Sequence, residues 1–390
     1  MKEMPNRNQK VIVYPFPMHL SQGFTYHLSI LQFIDKLSEL IPVTLISLDS
    51  HSQLEKIYFE TLNLPFPKGL QLISVNNRKF GLRSNALWFT REVRKQIKGL
   101  LNKNMSPVVY TRNVKQMTSL LKSYSGDVDV KFIFESHQLF SQNLSMLGKY
   151  RDAEIEFCRE KILYSRTDKI FTNTVHLSNQ IIRLFDKESI VLPVSTDKRN
   201  IISALTESEY QGREYDFIYS GSYKEWKGVE TVVDALKILK DEGWEKKVLF
   251  LGLTESDFKR FSSLIEVEGL SGIVELKGRV PVKDVNSYLR RAKVGLVPNS
   301  LQDDSVYNTS PLKVYDYAAS GLNIIAARVP ALDGVIPNSI VDWFLPDDPI
   351  SLAECIKASK PKFVMKSLEW AAENTWDTRA KKVTEYILQL

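Results

Sequence analysis

From Asn308 to Ala327 the chain reads NTSPLKVYDYAASGLNIIAA, and its punctuation marks out one folding unit. Ser310 and Pro311 suit a helix start, because proline's missing N–H costs nothing in the first helical turn. Leu312, Tyr315 and Ala319 recur on one packed side of that helix, while Lys313 and Asp316, three apart, share another face. Gly321 ends the helix as a C-cap, and the apolar run Asn323 to Ala326 returns as a strand. Upstream, Val294 to Pro298 reads as the strand before it. Strand, helix and strand in this spacing predict a βαβ unit on a parallel sheet.

The same alternation extends in both directions. In the second half, Tyr215 to Ser220, Lys247 to Gly252 and Val274 to Gly278 are further strands, with helices at Val229 to Lys240 and Val285 to Ala292. In the first half, the strands are Val11 to Tyr14, Val43 to Leu48, Leu70 to Ser74, Val108 to Thr111, Lys131 to Glu135, Lys169 to Thr172 and Ile190 to Pro193. The helical stripe Leu28, Leu31, Ile34, Leu37 and Leu40 joins the first two of these. A polar stretch over 194–213 reads as a linker between two α/β domains. The terminal stretch from Lys366 carries Trp370, Trp376, Val383 and Ile387 as the anchors of an amphipathic helix.

At 390 residues, with 43% hydrophobic and 25% charged residues, the chain suits two globular domains and excludes a disordered or fibrous class. Cys158 and Cys355 lie far apart without a CxxC or histidine partner, which predicts buried free thiols rather than a disulfide or a metal site. No apolar run approaches a membrane span or a signal peptide, so a cytoplasmic protein is expected. The net charge of +6 permits an anionic membrane, a phosphorylated ligand or nucleic acid and selects none of them.

Two segments could carry chemistry. After the strand Tyr215 to Ser220 the chain reads GSYKEWKGVETVVDAL: Gly221 allows a tight turn, Gly228 opens a helix, and Lys224 and Lys227 place charge near its N-terminus. Such a turn suits a phosphate, or is simply a solvated strand-to-helix connection. On the helix after Pro311, Asp316 could accept hydrogen bonds from vicinal hydroxyls such as those of a ribose, or pair with Lys313 at the surface.

The order GSYKEWKG, ELKGRVP, VGLVPNS and SPLKVYDYAASGLNIIAA resembles the donor-binding domain of retaining GT-B glycosyltransferases, specifically glycosyltransferase family 4, the glycosyl transferases group 1. The resemblance covers nearly the whole second half and, more loosely, the first. It implies a GT-B fold: two Rossmann-like domains with parallel sheets facing a central cleft. The acceptor domain would span 1–195 and the nucleotide-sugar domain 196–370, with 371–390 crossing back as a C-terminal helix. It further implies that Lys227 contacts the donor diphosphate with Gly221 and Lys224, and that Asp316 holds the ribose. Gly278, Arg279 and Val280 would line the base pocket, and backbone groups at Ser310, Pro311 and Leu312 would meet the donor. Asn308 stands where the family has a catalytic glutamate, and Ser222 where it often has an arginine.

In the first half, Gly23 resembles the glycine that lets backbone approach the donor phosphate. His137 in FESHQLF resembles the family histidine facing the donor sugar. Glu135, His19 and His27 lie close enough in sequence to join them. The implied reaction is hexosyl-type transfer from a UDP-, GDP- or ADP-sugar to a hydroxyl of a glycan or lipid-linked acceptor. It proceeds with retention, without a metal or bound cofactor, in bacterial surface polysaccharide, lipopolysaccharide or glycolipid assembly. An inverting transferase, an epimerase on the same donor site and a non-catalytic partner subunit remain alternatives. Separately, Arg78, Lys79, Arg83, Arg91, Arg94, Lys95, Lys98 and Lys103, interleaved with Leu82, Leu87, Trp88 and Phe89, read either as a peripheral surface for an anionic membrane or as a solvated helix face. No nucleic-acid module accompanies them.

Overall fold

The structure, a computed structural model, describes residues 9–75, 85–124, 129–302, 306–307, 310–359 and 365–390. They form two compact units. The first takes in the chain up to Asn173 together with Leu177–Leu192 and Trp376–Leu390; the second is Thr174–His176 with Pro193–Thr375.

The first unit is built on a seven-stranded sheet of β1 (Lys10–Pro15), β2 (Val43–Ser47), β3 (Leu70–Ser74), β4 (Ser106–Thr111), β5 (Lys131–Ser136), β6 (Lys169–Thr172) and β7 (Ile190–Val191). Its order is β3-β2-β1-β4-β5-β6-β7, and every pairing is parallel. The β-branched and aromatic runs seen in the sequence are buried on both faces, as a sheet covered by crossover helices requires. Val93 and Ile97 of the helix Asn85–Leu101, with Phe134 of β5 and Leu163 of the helix Tyr150–Arg166, belong to the cluster that seals one face.

The second unit repeats the topology with β8 (Tyr215–Ser220), β9 (Val248–Leu253), β10 (Val274–Gly278), β11 (Ala292–Val297), β12 (Asn323–Ala327) and β13 (Val341–Phe344), all parallel, in the order β10-β9-β8-β11-β12-β13. In both sheets the strand order reverses once, between β1 and β4 and between β8 and β11. At such a reversal the connections leave in opposite directions and open a crevice at the strand C-termini.

Several features differ from the sequence reading. The strand β13 was not expected; its four residues VDWF, buried only at the two ends, are too few and too irregular to stand out. The helix expected at Val285 to Ala292 runs instead over Val282–Leu289, because Pro281 caps it and Ala292 already belongs to β11. The terminal stretch is two helices, Met365–Glu373 in the second unit and Trp376–Gln389 in the first.

The polar stretch over 194–213 is also not slack. Ser195, Thr196, Tyr210 and Arg213 in it are buried, and Arg213 donates to the carbonyls of Ala292 (2.7 Å) and Ser320 (2.9 Å). Both cysteines are free, but Cys158 is exposed and Cys355 half-buried, so the expectation of two buried thiols fails. Cys158 sits on the outer side of its helix, away from the buried Leu163 and Tyr164. Among the described residues no helix is long and apolar enough to cross a membrane, and no cluster of histidine, cysteine and carboxylate side chains could hold a metal ion.

Candidate functional site

At the reversal in the second sheet, β8 delivers Ser220 into the Gly221 turn. Gly221 has φ of 152° and is packed closely by Gly252, whose own φ of 102° places it in the region glycine alone adopts with ease. The Gly221 N–H donates to the Leu251 carbonyl (2.8 Å), and the Tyr219 hydroxyl donates to the Ser222 carbonyl (3.0 Å), so the turn is held from both sides. One turn of 3-10 helix, Glu225–Lys227, follows. Gly228 (φ 62°) then caps the helix Val229–Asp241 with no side chain. A Cβ at Gly228 would run into the Pro298 carbonyl just after β11. That glycine therefore lets the two loops of the reversal touch, and the Ser300 N–H completes the contact by donating to the Trp226 carbonyl (3.2 Å).

Lys227 points back into this turn and donates to Ser222 Oγ (3.0 Å). Burial lowers its pKa, and the charges of Lys224 and Arg279 lower it further. Lys224 itself is exposed. Gly278, Arg279 and Val280 close β10, where the register shifts between Lys277 and Gly278 and the Arg279 N–H donates to the Leu253 carbonyl (3.1 Å).

Pro311 caps the helix Leu312–Ala319, with Ser310 before it; the Ser310 hydroxyl is buried and has no hydrogen-bond partner. Gly321 (φ 64°) ends the helix as expected. Lys313 and Asp316 do not pair. Asp316 instead accepts a hydrogen bond from Thr196 Oγ1 (2.8 Å), a residue the sequence reading left inside a linker. Tyr317 seats the helix on the sheet by accepting from the Ser220 N–H (2.8 Å). Burial raises the Asp316 carboxyl to about 6; the Thr196 bond opposes that rise and Asp197 adds to it. Asn308 lies outside the described residues.

The first unit gathers charge at its own strand ends. Glu135, on β5 and almost fully buried, accepts from Arg112 (2.8 Å), from Arg379 of the terminal helix (2.6 Å) and from the Tyr110 hydroxyl, and meets His137 Nε2 at 2.8 Å. Burial alone would raise its pKa, but the charges of Arg112 and Arg379 and the His137 bond outweigh that and hold it well below the ordinary carboxylate range. His137 is about a third exposed, and burial followed by the Arg112 charge lowers its pKa. Gly23 adopts φ of 67° at the end of a 3-10 turn whose N–H groups at Leu20 (2.8 Å) and Ser21 (3.1 Å) donate to Asp49. His19 stays near the surface, 3.5 Å from Asp49. His27 is buried among Phe16, Phe24 and Tyr26, so it does not face an acceptor. Arg112 and Arg379 escaped the sequence reading because nothing local links them to Glu135.

Asp316 provides a test. Its carboxyl binds a proton more tightly in the folded chain (about 6) than in the unfolded one (3.8). It therefore favours folding fully below about pH 4 and loses that contribution as pH rises through about 6. Asp316→Asn is expected to leave the unliganded Tm at pH 7.5 equal to or above that of the parent chain, and to flatten the dependence between those two pH values. Thermal unfolding across buffers checks this; a lower Tm at pH 7.5 would make the carboxylate a structural partner of Thr196.

Residues 214–359 match the sequence model of the family described as glycosyl transferases group 1. Over 125 residues the chain is 25% identical to the amylovoran biosynthesis glycosyltransferase AmsK of Erwinia amylovora, a match covering 32% of this chain and 30% of that protein. Among solved structures, Anabaena HepE in complex with UDP aligns with a TM-score of 0.72 at 10% identity over 98% of this chain and 100% of that one. Sucrose-phosphate synthase from Thermosynechococcus elongatus aligns with a TM-score of 0.70 at 15% identity over 98% and 99%. These structural likenesses establish a GT-B fold. The sequence match falls on the unit that carries Gly221, Lys227 and Asp316, and over this segment the chain is similar to the glycosyl transferases group 1.

Proposed function

We propose that the chain is a glycosyltransferase that moves a sugar from a nucleotide-sugar donor to an acceptor hydroxyl with retention of configuration, in the assembly of a bacterial surface polysaccharide, lipopolysaccharide or glycolipid. The observation that carries the reading is the second unit's strand reversal, where a lysine-bearing glycine turn and a buried aspartate lie on neighbouring elements inside the family-matched segment. The turn offers Lys227 and the helix N-terminus after Gly228 to a diphosphate. Thr196 engages one Asp316 oxygen, and the carboxylate has lone pairs left for two vicinal ribose hydroxyls. The backbone at Gly278, Arg279 and Val280 borders the base, and Ser310, Pro311 and Leu312 present the start of a second helix to the donor.

Positive charge placed where the leaving diphosphate develops its own charge stabilises departure without a metal. A phosphate oxygen of the departing group then accepts the acceptor's proton on the same face, so no protein general base is needed. By the resemblance, catalytic roles fall to His137, Gly23 and Asn308. The curated relative AmsK, named for amylovoran biosynthesis, supports the polysaccharide context, and the UDP bound to HepE puts uridine nucleotides first among candidate donors. A peripheral contact with an anionic membrane falls to the helix Asn85–Leu101. It exposes Leu87, Trp88, Arg91, Arg94, Lys95 and Lys98, whereas Phe89, expected beside them, is buried in the core. Arg78, Lys79, Leu82 and Arg83 lie outside the described residues.

A thermal-shift panel of UDP, GDP, ADP, CMP and their sugar conjugates is expected to yield one base whose diphosphate raises Tm. With that ligand, Lys227→Ala should weaken diphosphate binding by about tenfold or more and leave the nucleoside unaffected. Equal losses for both would place Lys227 elsewhere. For His137→Ala the expectation is a fall in kcat with donor KM nearly unchanged. A lower Tm with specific activity per folded molecule preserved would make His137 structural. Co-sedimentation with phosphatidylglycerol vesicles should fall when Trp88, Arg91 and Lys95 are replaced by Ser, Gln and Gln together and should be absent with neutral phosphatidylcholine; binding indifferent to both changes would assign the stripe to solvent.

A further inference from the structure

Lys313 stands at the second position of the helix Leu312–Ala319 and has no hydrogen-bond or ion-pair partner among the described residues. Its ammonium lies over the ring face of Tyr219, 4.0 Å from the centroid, and a Cβ built on Gly221 would come within 3.2 Å of Nζ. The amine is therefore aimed at the Gly221 turn, the same turn in which Lys227 donates to Ser222 Oγ. Among the described residues, no carboxylate pairs with it. Tyr219 from β8 uses its hydroxyl on the Ser222 carbonyl, and Asp316, one turn along the same helix, is engaged by Thr196. The charges that bear on the two amines are cationic: Lys227 acts directly on Lys313, and Lys224 and Arg279 act on Lys227. Glu230, in the first turn of the helix Val229–Asp241, acts on Tyr219 and Tyr223. Close by, the Ser310 hydroxyl is buried and unpartnered.

Two amines crowded on one turn, with no carboxylate among the described residues paired to either, cost folding energy, since burial disfavours the ammonium and each repels the other. Burial, with the Lys227 charge added, holds Lys313 well below the usual lysine range. A methionine would fill the same space over Tyr219 without that penalty. A dianionic group set at Gly221 removes it, by supplying both amines with charge-assisted hydrogen bonds.

We infer that Lys313 is a phosphate-contacting residue that closes, with Lys227, a two-amine clamp on the pyrophosphate group of the donor at the Gly221 turn. The identity of the donor rests on the function proposed above; the clamp itself is an affinity for pyrophosphate. Calorimetric titration of the full chain with inorganic pyrophosphate, UDP and uridine separates the two. In Lys313→Met, and in the neutral but hydrogen-bonding Lys313→Gln, affinity for pyrophosphate is expected to fall about tenfold, while the unliganded Tm stays level or rises. A nucleoside diphosphate that binds should lose affinity equally, and its nucleoside should lose none. An unchanged pyrophosphate affinity in both variants, or a lowered Tm with affinity per folded molecule intact, overturns the inference and leaves Lys313 a structural partner of Tyr219. A parent chain that binds UDP but not pyrophosphate at millimolar concentration overturns it too. If pyrophosphate binds in a Lys313-dependent way while no nucleotide diphosphate of the panel binds at all, the clamp stands and the donor reading falls.

Discussion

The arrangement of the second unit turns on the absence of a side chain at residue 228. The loop leaving β8 and the loop leaving β11 meet there backbone to backbone, with Gly228 against the Pro298 carbonyl and the Ser300 N–H on the Trp226 carbonyl. Any Cβ would push the loops apart, and with them the helices that begin on either side. Lys227 precedes that contact directly, and Lys313 sits on the helix that follows the other loop. The positions of the two amines relative to one another therefore depend on a contact that neither makes.

In the first unit the corresponding strand ends are held by charge rather than by close backbone approach. Glu135 has no exit to water, and its partners come from β4, from the residues just after β4 and β5, and from the terminal helix. A pair of this kind adds little net stability over an apolar core, yet removing one partner strands the other in low dielectric at a cost of about 3–5 kcal/mol. The cluster thus contributes specificity: it tolerates one packing of the helix Trp376–Gln389, with Arg379 also donating to the Leu192 carbonyl and lying over the Phe33 ring. His137 borrows its orientation from the same carboxylate.

Much of this was legible because it is local. Strand runs, the glycines at 221, 228 and 321 and the Ser310–Pro311 start each follow from a few neighbouring residues, and the α/β alternation follows from their sum. What stayed hidden joins residues far apart in the chain. Thr196 looked like part of a linker because its partner, Asp316, is 120 residues away. Arg379 is 244 residues from Glu135. The Lys313–Asp316 spacing permitted an ion pair that helix geometry alone could not refuse; it is absent because Lys313 turns to Tyr219 and Asp316 to Thr196. Cys158 misled for the opposite reason, since a local amphipathic pattern does not say which side of a helix finds a neighbour.

The division of the terminal stretch bears on how the chain is made. Arg379 lies on a helix that leaves the ribosome only after the whole second unit has been synthesised, while Glu135 and Arg112 emerge among the first half of the residues. During translation the second unit can complete its sheet as soon as β13 and its flanking helices are out, because every strand it needs is contiguous. The first unit's seven strands emerge earlier still, but Phe33 and Glu135 lack the partners that the terminal helix brings until that helix is made. Domains ordinarily mature from the N-terminus onward; here the unit that begins first is the one that finishes last.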